Sequence, residues 1–201
     1  MRFTKSLAAI VLAGSLLSGP TAYAIGGDGK PMIDNSTCKA MVSAANAGKP
    51  VEDPSILHTY DEMPSYIVDG TLDYVVEPNF PYRDQLETAA KEWNKALDGK
   101  VVLREVSKAD ADDDTVTVRY APDPNSQTLA AASVPRKDMV VFIASADYPD
   151  AIRRTLAHEF GHLLGIRHTC DNTLMAASRH RHQATHITPL DVAAVLQGQF
   201  D

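Results

Sequence analysis

Basic residues are in short supply in this 201-residue chain, where 19 Lys and Arg face 26 Asp and Glu for a net charge of −7. No strongly positive field is then available to hold nucleic acid or an anionic membrane. Cysteine is nearly absent, with only Cys38 and Cys170. Apolar runs long enough to matter are confined to the N-terminus. There Arg2 and Lys5 precede LAAIVLAGSLL, Gly19 and Pro20 cut the run short, and Ala22, Tyr23 and Ala24 form the small-x-small pattern of a signal-peptidase site. The run is too short to favour a membrane span. Residues 1–24 are therefore predicted to be a cleaved signal peptide, and the protein to be secreted or periplasmic with no membrane partner after cleavage. Losing Arg2 and Lys5 and no acidic residue takes the net charge from −7 to −9. Residues 25–201 suffice for one domain with a core and are too few for a large accessory domain as well.

What the chain does contain is HEFGHLLGIRH at 158–168. His158 and His162 stand four apart, so on a helix they share a face one turn from each other and can hold a single ion. Glu159 sits one step round, where a carboxylate reaches a water beside the ion without being a ligand, as a general base must. Gly165 accepts the positive φ that lets the chain leave the helix and bring His168 back as a third ligand. Three protein ligands leave a fourth position open, and zinc so held lowers the pKa of water to about 7.

His158, Glu159, His162, Gly165 and His168 fill every fixed position of H-E-x-x-H-x-x-G-x-x-H, and the segment resembles the metzincin signature. That clan carries a methionine in a turn beneath the zinc ligands, and DNTLMAAS supplies Met175. The wording HEFGHLLGI before and TLM after is similar to the matrixin branch. The resemblance reaches from about residue 65 to 200. It implies an α+β metzincin catalytic domain over 66–201, with a mixed twisted sheet, an active-site helix, and a small C-terminal subdomain holding the Met-turn and a closing helix. The activity implied is that of a zinc endopeptidase acting on polypeptides, with one catalytic Zn2+, and a monomer is expected. Some matrixin features are missing. Residues 121–157 hold no histidine for a structural zinc, the PRCGxPD switch is absent, and Ala176 and Ala177 replace the tyrosine or proline that often follows the Met-turn.

Around the motif, residues 25–65 read as an N-terminal arm or pro-segment, Gly-, Pro- and Asn-rich apart from a possible short helix at TCKAMVSAANAG. Residues 66–77 read as a strand or hairpin about Gly70, and 82–97 as a helix with Leu86, Ala89, Ala90, Trp93 and Leu97 on one side. VVLREV, TVTVRY and DMVVFIA read as further strands, and the resemblance places a cleft-lining edge strand within 126–146. Asp150 is the expected cap of a helix to about Leu164, and Thr188 with Pro189 opens a closing helix. Calcium binding by the acidic run at 110–114 is conceivable, but a solvated loop is the favoured reading. His180, His182 and His186 read as an exposed polar loop, and His58 as no ligand. Two fates stand open for the cysteines. A Cys38–Cys170 disulfide would fasten the arm beside the site, whereas a Cys38 thiolate on the metal would hold the enzyme latent. Two classes stand open for function: a secreted zinc endopeptidase, or an inert binding protein on a metzincin scaffold, against which an intact Glu159 argues.

Overall fold

Asp69 and Gly70, with φ of 49° and 75°, turn the chain back on itself, and this two-residue turn starts the sheet. The computed structural model describes residues 33–58, 66–123, 129–133, 136–142, 149–177 and 183–198; the expected signal peptide, His180 and His182 lie outside them. In chain order the elements are α1 (Asn35–Asn46), a single 3-10 turn (Pro54–Leu57), β1 (Ile67–Val68), β2 (Thr71–Val76), α2 (Arg83–Leu97), β3 (Val102–Glu105), β4 (Val116–Tyr120), β5 (Ala130–Ser133), β6 (Asp138–Val141), α3 (Pro149–Leu163) and α4 (Pro189–Gly198). The class is α+β.

β2 is the hub of a six-stranded mixed sheet. Thr71 and Leu72 pair with both β1 and β3, and Tyr74 with both β3 and β4, so β3 takes one edge of β2 while β1 and β4 share the other. β6 follows parallel to β4, and β5 closes the order antiparallel to β6. Alternate residues of β2, Leu72, Tyr74 and Val76, are buried, the two-residue period of a strand with one face on the core.

The apolar stripe of α2 is buried along its whole length, with Trp93 fully enclosed. The Trp93 indole N–H still needs a partner in the core and donates to the Ala157 carbonyl of α3 at 2.8 Å, tying the two helices together. Asn94 grips Leu103 of β3 through both its amide groups, at 2.7 and 2.9 Å. Tyr74 and Phe160 meet at 5.3 Å between ring centres, so the sheet supports α3 from beneath.

α3 starts at Pro149, so Asp150 lies in its first turn and is not its cap. A proline ring presets helical φ at that position, and a carboxylate one step inside suits the positive end of the helix dipole. The N-terminal segment joins the main body, since Met41, Ala45, Val51 and Leu57 belong to the same buried cluster as Trp93 and Phe160.

Candidate metal centre

α3 carries His158 and His162 on one buried face, at 7% and 4% exposure, and ends just beyond them. Its termination is a Schellman motif: Ile166 N–H donates to the Gly161 carbonyl at 2.9 Å and Gly165 N–H to that of His162 at 3.0 Å. Gly165 takes φ 96°, as the spacing required, and the chain reverses to bring His168 beside the other two rings. Ring centres lie 4.7 Å apart for His158 and His162, 5.3 Å for His158 and His168, and 4.9 Å for His162 and His168. One nitrogen from each falls within 4.8 Å of the others, a grouping that can hold a metal ion.

Hydrogen bonds select which nitrogen faces the centre. His158 Nδ1 lies 2.8 Å from the Leu174 carbonyl and His162 Nδ1 2.8 Å from that of Ile166. A carbonyl only accepts, so His162 Nδ1 carries the proton and its Nε2 keeps the lone pair, the arrangement of a metal-bound imidazole, while His158 Nδ1 lies near both the Leu174 carbonyl and, at 2.9 Å, the Gln183 amide nitrogen. His162 Nε2 is buried without any hydrogen-bond partner. A buried polar atom left so is costly, and a metal ion is what this donor set would satisfy. Burial, then the neighbouring His158 and His168, hold the His162 pKa well below the usual 6.5, so its ring is neutral as a ligand must be.

Glu159 is 3% exposed. Its Oε2 accepts the Ala132 N–H of β5 at 2.7 Å. Phe142 N–H bonds the Leu129 carbonyl, so alternation along the antiparallel pair turns Ala131 and Ser133 toward β6 and Ala130 and Ala132 outward. The alanines of β5 are all buried and small, and they let α3 approach closely enough for this contact.

Met175 is fully buried and lies flat on α3 at Gly161, the residue before His162. Its turn is held from two sides. Thr169 N–H donates to the Met175 carbonyl at 2.8 Å, and Asp191 of α4 accepts the N–H groups of Leu174 at 3.0 Å and Met175 at 3.2 Å. Asp191 also takes the Thr188 N–H and hydroxyl, at 2.8 and 2.7 Å, and so completes a capping box with the predicted N-cap. Burial raises its pKa despite these donors. Gln183 Nε2 donates to the Leu174 carbonyl at 2.7 Å, next to His158 Nδ1.

The structure thus brings His158, Glu159, His162, His168 and Met175 together, and Cys38 is bonded to Cys170 with 5.4 Å between their Cα atoms. The bridge takes the sulfur that the latency alternative needs. His58 lies away from the rings, its Nε2 2.9 Å from the Ala194 carbonyl. In the acidic loop Asp110 accepts from Ser107, Asp112 from Thr115, and Asp114 pairs with Lys137, so these carboxylates serve neighbours. Sequence reasoning missed Gly161, Gln183, Asp191 and the Ala132 N–H. Only Asp191 had a local signal, three residues after the N-cap Thr188. No protein-family model matches the chain, and a search of curated proteins finds no match to it.

Proposed function

We propose that this protein is an exported, matrixin-like metzincin, a zinc-dependent endopeptidase with His158, His162 and His168 as ligands and Glu159 as general base. One observation carries the reading: three imidazoles bring one ring nitrogen each within 4.8 Å of the others, and the residue after the first of them is a buried carboxylate bonded to the terminal strand of the sheet. The imidazole set and its carbonyl partners suit zinc, although imidazole alone also accepts copper, nickel or iron. Zinc bound there would supply a Lewis acid for the scissile carbonyl and lower the pKa of water to about 7.

Glu159 does the proton work. Its Oε2 accepts the Ala132 N–H, which holds the carboxylate in place on the helix that carries His158 and His162. It takes the proton of that water and hands it to the leaving amine. A buried carboxylate is expensive to retain, and glutamine would satisfy the Ala132 N–H at less cost, so glutamate here supports catalysis over an inert scaffold. β5 is the terminal strand of the sheet, and an extended polypeptide would add along it through outward backbone groups other than the Ala132 N–H, which Glu159 already takes. The disulfide suits an oxidising, extracytoplasmic setting.

Digestion of casein or a mixed peptide library, with and without phenanthroline, tests the activity. Chelator-sensitive cleavage is expected, and Glu159→Gln should bind zinc normally while losing about 10²- to 10⁴-fold in kcat/KM. Full turnover by this variant would remove Glu159 from the mechanism. Zinc-loaded protein that cleaves nothing would favour the binding protein.

A further inference from the structure

The third histidine differs from the other two in what holds it. His158 and His162 are fixed by α3, but His168 stands beyond the end of that helix, and the chain on both sides of it is fastened to the N-terminal segment. On one side, Arg167 donates its backbone N–H to the Leu57 carbonyl at 3.0 Å, and Ile166 forms an antiparallel bridge with His58. On the other, Cys170 is covalently joined to Cys38. The segment making these contacts is itself anchored at several points. Asp34 caps α1, accepting from Ser36 N–H at 2.9 Å and Thr37 N–H at 3.0 Å. α1 packs on α4, with Met41 and Ala45 in the core. Val51 N–H donates to Gln197 at 3.2 Å, His58 meets the Ala194 carbonyl, and Leu57 is fully buried.

We propose that residues 33–58 are a permanent positioning element of the metal centre and are not shed as a pro-segment: they set the place of His168 from outside the ligand helix. The inference rests on the metal-site reading above. A removable pro-segment covers a site and departs without disturbing it. This one closes the loop that carries His168 by a backbone bond before it and a disulfide after it, and fills core volume that its loss would open. Separating the segment should therefore loosen one ligand of three, and metal affinity should fall before the fold does.

The test compares zinc affinity, by competition with a chromophoric chelator, between the full chain and its Cys38→Ala/Cys170→Ala variant, with the near-ultraviolet signal of buried Trp93 as the measure of folding. Zinc binding about 10- to 100-fold weaker with the Trp93 signal retained is the expected result, the range typical of lost outer support for a metal ligand. Equal affinity would overturn the positioning role while leaving the metal site intact. A wild-type chain that binds no zinc would sink the metal-site reading, and this inference with it. A variant without the Trp93 signal would make the bridge a general staple and overturn the local role. The mass of the active, unreduced protein checks permanence: residues 33–58 should be present, and an active form lacking them would refute it.

Discussion

At the scale of single residues, the centre depends on groups too small to draw notice. Gly161 sits in mid-helix, where alanine would ordinarily add about 1 kcal/mol of stability. Here a Cβ would overlap Met175 Sδ and come within 3.0 Å of its Cε, and Met175 is fully buried with little room to yield. Overpacking of this kind costs about 1–3 kcal/mol, so Gly161→Ala should destabilise the protein despite its better helix propensity. Urea unfolding of Gly161→Ala, Met175→Ala and the double variant checks this. The two losses should be less than additive, because the second change removes the overlap made by the first. A Gly161→Ala protein more stable than wild type would mean that Met175 is not a fixed floor. Glycine at 161 has this role only because residue 175 returns to it, which no local pattern reveals.

At the scale of elements, α4 acts on the centre without touching it. Asp191 joins the cap of α4 to the Leu174 and Met175 peptides, and the Leu174 carbonyl is the acceptor for His158 Nδ1. Asp191→Ala would leave two buried N–H groups unpaired and break the capping box. Each unpaired group costs about 1–3 kcal/mol and a lost cap about 1 kcal/mol. The expected outcome is a stability loss of at least about 2 kcal/mol by denaturant titration, together with weaker zinc binding; Asp191→Asn, which keeps one acceptor oxygen, should recover part of both. Unchanged stability would show that the Met-turn holds itself. Elements were also where the sequence was most legible. The α2 stripe, the turn at Gly70 and the Thr188–Pro189 helix start all fall where periodicity and turn chemistry put them, because each is decided within a few residues. The start of α3 lies two residues before the expected Ala151, because Pro149 accepts the first helical position as readily as Asp150 accepts the cap.

At the scale of the whole molecule, the three histidines are a stability question as much as a chemical one. In the metal-free protein the His162 pKa is depressed in the fold, so below the ordinary 6.5 the unfolded chain binds a proton that the native state refuses. Stability must then fall as pH drops through and below 6.5, and rise again toward neutrality. Zinc, if it is the ion taken up by the neutral rings of the native state, would add about 4 kcal/mol when free metal exceeds its Kd a thousandfold. Melting curves should therefore show a lower Tm for chelator-treated protein at pH 5.5 than at pH 7.5, and a clear rise on adding zinc at pH 7.5. A Tm indifferent to zinc would count against the metal centre as a whole.

The sequence alone determined the spacing of the three histidines, the position of Glu159, the need for positive φ at Gly165 and the course of most helices and strands, because each depends on contacts within one or two turns of chain. Tertiary structure decided the rest. That Cys38 meets Cys170, that the Ala132 N–H bonds Glu159, that Asp191 holds the turn at Met175 and that the N-terminal segment flanks His168 are contacts between residues 16 to 132 positions apart. No periodicity encodes such contacts; they exist only once the sheet and helices have packed on a common core.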